Sequence, residues 1–298
     1  MTLNATYVRS LPHQWNGIAV RDWMIANTDI ALYIAGVYLV MVFNGPKLIA
    51  RLNKRGTHSG NTAARTLTDG SGSLLVRRAM VLWNLSLSIF SILGTSTVTP
   101  VLIGNLREKG FHSATCEFNE KEFYTTNVGF WMGLFALSKI PELIDTVFLV
   151  LLGKDLPFLH WYHHVTVLLF SWHAYCVGSS VYIWVAAMNY SVHSVMYFYF
   201  ALAALGYRRI VRPFAPYITV IQILQMVVGC LVTLHALREL CDETGRGCGV
   251  PLSNMRAQLL MYASYLYLFS KMFVKSYLLP PNAHAAVSTA SNPTKKQI

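Results

Sequence analysis

The sequence predicts an all-α membrane protein with seven transmembrane helices. Of its 298 residues, 54% are hydrophobic and only 12% are charged, about half the charged share of a soluble domain. Apolar stretches of the length that crosses a bilayer recur from one end of the chain to the other. The N-terminal region contains Arg9, Arg21 and Asp22 but no apolar core, so we expect insertion by the first spanning helix rather than a cleaved signal peptide.

Polar connections separate the seven predicted membrane segments. The segments comprise residues 26–44, 78–101, 126–152, 158–176, 179–206, 214–238 and 255–279. Residues 1–25 precede them as an N-terminal segment, and residues 26–279 form the seven-helix domain. Residues 280–298 show no hydrophobic periodicity and are predicted to be a disordered tail.

Lysine and arginine concentrate in two connections, and this sets the predicted orientation. Positive residues collect in cytosolic loops; here they follow the first segment, from Lys47 to Arg78, and the fifth, at Arg208, Arg209 and Arg212. We therefore place the N-terminal segment in the lumen and the tail in the cytosol. The net charge of +11 is attributed to cytosolic loops beside anionic membrane lipids, and no nucleic-acid partner is predicted.

Two short motifs agree with this orientation. Asn4-Ala5-Thr6 is a glycosylation sequon, which is modified at Asn4 only in the lumen. The chain ends Lys295-Lys296-Gln297-Ile298, which looks like the cytosolic dilysine retrieval signal of endoplasmic reticulum membrane proteins. The predicted location is therefore the endoplasmic reticulum membrane, which the chain crosses several times.

Three of the five cysteines fall in the predicted luminal connections. An oxidising lumen permits a disulfide between them. We predict that Cys116 pairs with Cys248, with Cys241 as the alternative partner and three free thiols as the remaining possibility. The chain has no CxxC pair, so its cysteine spacing indicates no zinc framework.

The third segment contains charged residues at membrane depth. Lys139, Glu142, Asp145 and Thr146 follow one another at helical spacings, which places them on one stripe. Each charge at a helix centre costs roughly 2.5–3.5 kcal/mol on insertion scales. Two interpretations remain open: an internal Lys139–Glu142 pair that only locks helices together, or an imidazole of the fourth segment oriented by Glu142 or Asp145.

The fourth segment carries three histidines in an apolar run. His160, His163 and His164 have the spacing of one helix face. Polar side chains in such a segment usually mark function. The fifth segment adds a second stripe with i+4 spacing, formed by Asn189, His193 and Tyr197.

The sixth segment has a weaker polar stripe. Thr219, Gln222 and Gln225 share a face, although such amides and hydroxyls often only bond between membrane helices. The simplest arrangement turns all four stripes toward one cavity, with the histidines near its cytosolic mouth. Arg208 and Arg209 near that mouth could attract phosphates.

Several chemistries fit a buried histidine cluster. A di-iron desaturase or hydroxylase would need several histidine boxes and about eight ligands, whereas this chain has one HxxHH box and His193. We therefore predict no metal. A cysteine nucleophile is disfavoured because Cys176 and Cys230 lie off the polar stripes, which leaves an imidazole nucleophile for acyl transfer. A seven-helix transporter or receptor remains a non-enzymatic alternative.

Four motifs in this order resemble the ELO family of fatty acid elongases, the membrane 3-ketoacyl-CoA synthases. The resemblance runs from about Gly45 to the seventh segment. The motifs are KxxExxDT from Lys139 to Thr146, HxxHH from His160 to His164, an HxxMYxYY-like run from His193 with Phe200 at its last position, and TxxQxxQ from Thr219 to Gln225.

The resemblance implies a condensing enzyme that joins malonyl-CoA to a long-chain acyl-CoA. It implies a fold in which six of the seven helices form an inverted barrel around an acyl tunnel. It also implies a ping-pong cycle without metal or redox cofactor, beside a ketoreductase, a dehydratase and an enoyl reductase, with a homo- or hetero-oligomer left open. The box sequence His-Trp-Tyr-His-His resembles the branch that acts on saturated and monounsaturated chains.

The resemblance also implies roles for individual residues. His163 would accept the acyl group, and His193 would contribute to the second half-reaction. His160 and His164 would support them, while Asp145 and Glu142 hold the imidazoles. The residues expected to bind substrate are Lys139, Asn189, Tyr197, Gln222, Gln225, Arg208 and Arg209.

Overall fold

A computed structural model describes residues 15–59, 70–242 and 246–279. Every regular element in these ranges is helical, as predicted. The sequon at Asn4 and the tail that carries Lys295 and Lys296 lie outside the described residues. The α-helices are α1 (Gly17–Ala26), α2 (Thr28–Ser59), α3 (Gly70–Cys116), α4 (Glu120–Thr125), α5 (Asn127–Ser138), α6 (Ile144–Leu151), α7 (Phe158–Cys176), α8 (Tyr182–Leu202), α9 (Arg208–Val211), α10 (Ala215–Cys241) and α11 (Leu252–Phe273).

The predicted segments correspond to these helices, although several bounds differ. The first segment, predicted over residues 26–44, extends to Ser59 in α2. The histidine-bearing segment 158–176 agrees with α7 at both ends. The third segment is interrupted, since a 3₁₀ turn at Pro141–Leu143 separates α5 from α6. The second segment is much longer than predicted, because α3 continues as far as Cys116 through a break at Gly110. The short helices α1, α4 and α9 were not predicted.

Three stretches of the described chain are long and apolar enough to cross a membrane. They are Thr28–Arg51, Leu74–Cys116 and Tyr182–Cys241. Large apolar side chains on these stretches are exposed, among them Val37, Leu82 and Leu231. Such exposure is expected of a surface that faces lipid rather than water.

Small residues allow two helix pairs to pack closely. A Cβ atom on Gly94 of α3 would lie 2.6 Å from the ring of Tyr190 on α8. A Cβ atom on Gly229 of α10 would likewise approach the ring of Tyr262 on α11. Close approach at small residues is the usual way in which membrane helices gain packing contacts.

Buried aromatic rings fill one end of the helix bundle. Phe135, Tyr175, Tyr182 and Tyr190 are each at most 2% exposed. Phe135 meets Tyr182 and Tyr190 edge to face, and the ring of Tyr175 is tilted against that of Tyr182. At the same end, the structure joins Cys116 to Cys248 in a disulfide, the pairing that the sequence predicted. The alternative partner Cys241 is an exposed free thiol.

Candidate functional site: a buried polar centre with four histidines

The centre is organised by the interruption between α5 and α6. Pro141 lacks a backbone N–H, so α5 cannot continue through it, and the chain makes a 3₁₀ turn instead. This turn brings the side chains of Lys139 and Glu142 together inside the bundle, where they are 1% and 3% exposed. Two charges buried to this degree require partners.

Lys139 and Glu142 form the predicted internal pair, and the pair extends to a neighbouring helix. Lys139 Nζ donates to Glu142 Oε1 at 2.7 Å and to Asn189 Oδ1 on α8 at 3.0 Å. Ser138 Oγ also donates to Glu142 Oε1 at 3.0 Å. The ammonium lies 4.1 Å from the centroid of the Phe135 ring, which adds a cation–π contact.

Asn189 connects the Lys139–Glu142 pair to His193 by hydrogen bonds. Lys139 has only donors, so the Asn189 amide must present Oδ1 to it. The other amide atom, Nδ2, then donates to His193 Nε2 at 3.0 Å. Because Nε2 accepts this bond, the proton of a neutral His193 resides on Nδ1. The series of hydrogen bonds from Glu142 through Lys139 and Asn189 therefore fixes the tautomer of His193.

Replacing Asn189 with alanine tests this chain of hydrogen bonds. The imidazole of His193 then loses the hydrogen bond to Nε2 that orients it. Misplacing a catalytic group in this way lowers the rate about 100-fold. We expect kcat for product formation to fall by that order while KM changes little, as measured by steady-state kinetics. An Asn189→Ala variant with unchanged kcat would show that the bond to His193 has no positioning role.

Asp145 and Glu142 do not contact the histidines, contrary to the sequence interpretation. Asp145 accepts hydrogen bonds from Trp83 Nε1 at 2.7 Å and from the hydroxyl of Tyr197 at 2.8 Å. Glu142 Oε2 is buried without a hydrogen-bond partner among the described residues. Each carboxylate is connected to His193 only indirectly. Glu142 is linked to it by hydrogen bonds through Lys139 and Asn189. Asp145 bonds Tyr197, whose ring lies 5.2 Å from that of His193.

A hydroxyl rather than a carboxylate orients the first box histidine. His160 Nε2 is 2.9 Å from Thr146 Oγ1, and Thr146 Oγ1 is 2.8 Å from the hydroxyl of Tyr38 on α2. The ring of His160 lies 4.6 Å from that of His164. His164 is 6% exposed, and its buried Nδ1 has no hydrogen-bond partner among the described residues.

His163 is held by its backbone and not by its ring nitrogens. Its carbonyl oxygen accepts from Tyr265 on α11 at 3.2 Å and from Thr166 at 3.3 Å. Its ring packs against those of Tyr265, at 5.0 Å, and His164, at 5.5 Å. Within the described ranges neither ring nitrogen makes a hydrogen bond, so a nitrogen lone pair is free to react.

The remaining predicted residues lie around the centre at two places. Gln222 on α10 donates to Met196 Sδ of α8 at 3.2 Å, and Gln225 is buried on the same helix. Arg208 and Arg209 line a separate surface cavity beyond the end of α8. The other lining residues of that cavity are Tyr199, Arg212, Pro213, Ala215, Pro216, Ser276 and Tyr277.

Several residues that shape the centre were missed at the level of sequence. Tyr38, Trp83 and Tyr265 come from three helices without a polar stripe. Tyr38 and Trp83 each supply one hydrogen bond, and the Tyr265 hydroxyl contacts both the His163 carbonyl and Thr166. Aromatic residues are common in membrane helices, so nothing in the pattern distinguishes these three. Ser138 and Thr166 are similarly ordinary in sequence.

The fold and the site indicate a polytopic membrane protein with a polar internal site. Its apolar helical bundle encloses four histidines and an ion pair. Comparison with known proteins is more specific. The chain belongs to the ELO family, described as GNS1/SUR4, whose model matches residues 23–285.

Named relatives cover nearly the whole chain. "Fatty acid elongase 1" of Trypanosoma brucei brucei is 72% identical over 92% of this chain and 90% of its own length. "Fatty acid elongase 1" of Trypanosoma cruzi is 67% identical over 95% of this chain and 97% of its own length. "Fatty acid elongase 2" of Trypanosoma cruzi is 45% identical over 89% of this chain and 92% of its own length.

Proposed function

We propose that this chain catalyses the condensing step of fatty acid elongation, in which acyl-CoA and malonyl-CoA give 3-ketoacyl-CoA, CO₂ and CoA. Membership of the ELO family and high identity to proteins named fatty acid elongase identify the chain as a fatty acid elongase. The mechanism rests on the surroundings of His163, whose ring nitrogens make no hydrogen bond among the described residues and whose ring packs against those of Tyr265 and His164. The di-iron oxygenase and transporter alternatives find no support among these relatives.

In the first half-reaction, His163 attacks the acyl thioester. A lone pair on the neutral imidazole forms a bond to the carbonyl carbon, and the C–S bond to CoA breaks. The imidazole gives up its remaining proton to the departing thiolate, so the products are an acyl-imidazole and CoA. The contacts of Tyr265 and Thr166 with the His163 carbonyl fix this turn of α7 during the attack.

In the second half-reaction, malonyl-CoA loses CO₂ and the resulting enolate carbon attacks the acyl-imidazole. A C–C bond forms, the acyl–nitrogen bond breaks, and His163 regains its proton from the surroundings. The fixed tautomer of His193 places a proton on Nδ1, because Nε2 accepts from Asn189. That N–H can donate to the enolate oxygen, where negative charge develops.

The arginine-lined cavity supplies a place for the nucleotide end of CoA. Arg208, Arg209 and Arg212 surround it together with Tyr199 and Ser276. Arginine forks match phosphate oxygens, and tyrosine faces accept a stacked ring. Tyr197, Gln222 and Gln225 lie on the helices between this cavity and the polar centre, where the rest of the substrate would pass.

The same proposal includes the membrane arrangement. The seven helical segments would span the endoplasmic reticulum membrane, with six of them enclosing the acyl tunnel, the N-terminus in the lumen and the tail in the cytosol. The mechanism requires no metal or redox cofactor. The 3-ketoacyl-CoA product would pass to a ketoreductase, a dehydratase and an enoyl reductase in the same membrane.

Acyl-chain preference depends on the space beyond His163. The box sequence and the resemblance to elongases favour long, saturated or monounsaturated acyl chains. The buried rings of Phe135, Tyr182 and Tyr190 occupy the interior between the polar centre and the disulfide. The chain-length preference is therefore found by measuring activity with acyl donors from short to very long.

The activity is tested by supplying labelled malonyl-CoA and an acyl-CoA panel to the purified protein without NADPH and with a metal chelator. We expect labelled 3-ketoacyl-CoA to accumulate for a limited set of chain lengths, with one CO₂ released per product. Reactions without the acyl donor serve as controls. Activity that vanishes with the chelator, or that requires oxygen and reductant, would contradict the proposal and favour the oxygenase class.

A further inference from the structure

A second cluster of ligand-type side chains lies at the disulfide end of the bundle. His112, Cys116 and His235 place one potential ligand atom each within 4.8 Å of the other two. Glu239 joins them, since its Oε2 is 3.2 Å from His112 Nδ1. None of these four residues contributes to the centre around His163.

The cluster is built from two helical pairs with the same spacing. Gly110 interrupts α3 with a φ of 81°, and the last part of that helix presents His112 and Cys116 one turn apart. On α10, His235 and Glu239 are also one turn apart, so each pair shares a helix face. Four ligand-type side chains from two facing segments are the usual arrangement of a tetrahedral metal site.

Two observations show that the cluster is preorganised. The imidazole of His235 packs against the rings of Phe111, at 4.8 Å, and His112, at 5.8 Å. His235 Nε2 is buried and has no hydrogen-bond partner among the described residues. A buried nitrogen without a partner is unfavourable, and a ligand at this position would relieve that cost.

The donor set selects zinc. Two imidazoles, a thiolate and a carboxylate match the ligands of Zn²⁺, and bond lengths of about 2.0–2.3 Å place tetrahedral donors about 3.3–3.8 Å apart. The ligand atoms of His112, Cys116 and His235 lie within 4.8 Å of one another, about 1 Å more than that requirement, and Glu239 Oε2 lies 3.2 Å from His112 Nδ1. In the structure, however, Cys116 is bonded to Cys248, and a disulfide sulfur is a poor zinc ligand because the thiolate is the binding form.

We propose that His112, Cys116, His235 and Glu239 form a zinc site once the disulfide is reduced, so that zinc and the Cys116–Cys248 bond exclude one another. A dithiol transfers two electrons and two protons to the disulfide and is itself oxidised to a disulfide. The two protein thiols are released, and Cys116 loses its proton when it binds the metal. Cys248 remains a thiol, and zinc holds the protein in the reduced state.

Cobalt(II) provides a direct test, because a cobalt–thiolate bond gives a charge-transfer absorption that the other ligands do not. The probe is Co²⁺ added to the full-length protein in detergent. In a Cys241→Ser/Cys248→Ala variant, Cys116 is a free thiol without any reductant. We expect this variant to bind one Co²⁺ with the charge-transfer band and to release it to Zn²⁺. The oxidised Cys241→Ser protein should lack the band.

Ligand variants show which residues bind the ion. Adding Cys116→Ala should remove the charge-transfer band, and adding His112→Ala or His235→Ala should weaken Co²⁺ binding at least 10-fold. Protein with all its cysteines, reduced by a phosphine, provides a second route to the free thiol if the Cys248→Ala protein does not fold. Absence of the band in both preparations, or a band that the histidine changes leave intact, would overturn the proposal.

Discussion

Replacing His163 with alanine is expected to abolish condensation. The change removes a box histidine whose ring nitrogens make no hydrogen bond among the described residues and whose ring packs against those of Tyr265 and His164. Loss of a covalent nucleophile leaves only binding and electrostatic effects, so we expect at least about a 1,000-fold fall in kcat/KM. The measurement is 3-ketoacyl-CoA formation from labelled malonyl-CoA and the preferred acyl-CoA.

His173 provides the matched control for this substitution. It lies on the same helix but bonds Asn254 through Nδ1 at 3.0 Å, away from the polar centre. The His173→Asn variant should retain condensation within a few-fold of the unchanged protein. Comparable activity in the His163→Ala variant, after correction for the amount of folded protein, would remove His163 from the mechanism.

Replacing Lys139 with methionine is expected to have the second largest effect, because it breaks the buried ion pair and the link to His193. Removing one partner leaves the Glu142 charge buried and unpaired, which costs about 3–5 kcal/mol of stability. The same change removes the donor that fixes the Asn189 amide. We expect a lower unfolding temperature in detergent and at least about a 100-fold loss of kcat.

A double variant separates these two effects. Lys139→Met combined with Glu142→Leu replaces both charges with apolar groups, which is often neutral for stability. We expect the unfolding temperature to recover while activity stays low, because Asn189 remains unfixed. Recovery of both properties would show that the pair only locks the helices together, which is the alternative left open by the sequence.

The sequence predicted the stripes of the site well, because helical periodicity alone decides which residues share a face. Within α7 the ring of His160 lies beside that of His164, and within α8 His193 contacts Asn189 and Tyr197, as the spacing indicates. The pairing of Lys139 with Glu142 follows from their spacing together with the cost of burying a lone charge.

Contacts between helices could not be predicted, because they depend on rotation and register. The turn at Pro141 sends Glu142 toward Lys139, and Asp145 toward Trp83 and Tyr197, so neither carboxylate reaches an imidazole. A single sequence shows that a proline interrupts a helix but not the direction in which the next turn points.

The second cluster illustrates the same limit. Cysteine spacing alone indicated no zinc framework, because the four ligand-type residues come from two segments separated by more than one hundred positions in the chain. Only the folded arrangement of α3 and α10 brings His112 and Cys116 close to His235.

The most direct test of the acyl-enzyme mechanism is the mass of the intact protein after incubation with the preferred acyl-CoA, without malonyl-CoA. We expect an increase equal to the mass of one acyl group, which fragmentation locates at His163 and which is lost when malonyl-CoA is added. We also expect the adduct to be absent from the His163→Ala variant. An adduct that persists in that variant, or that is found on Cys176 or His193 instead, would contradict this mechanism.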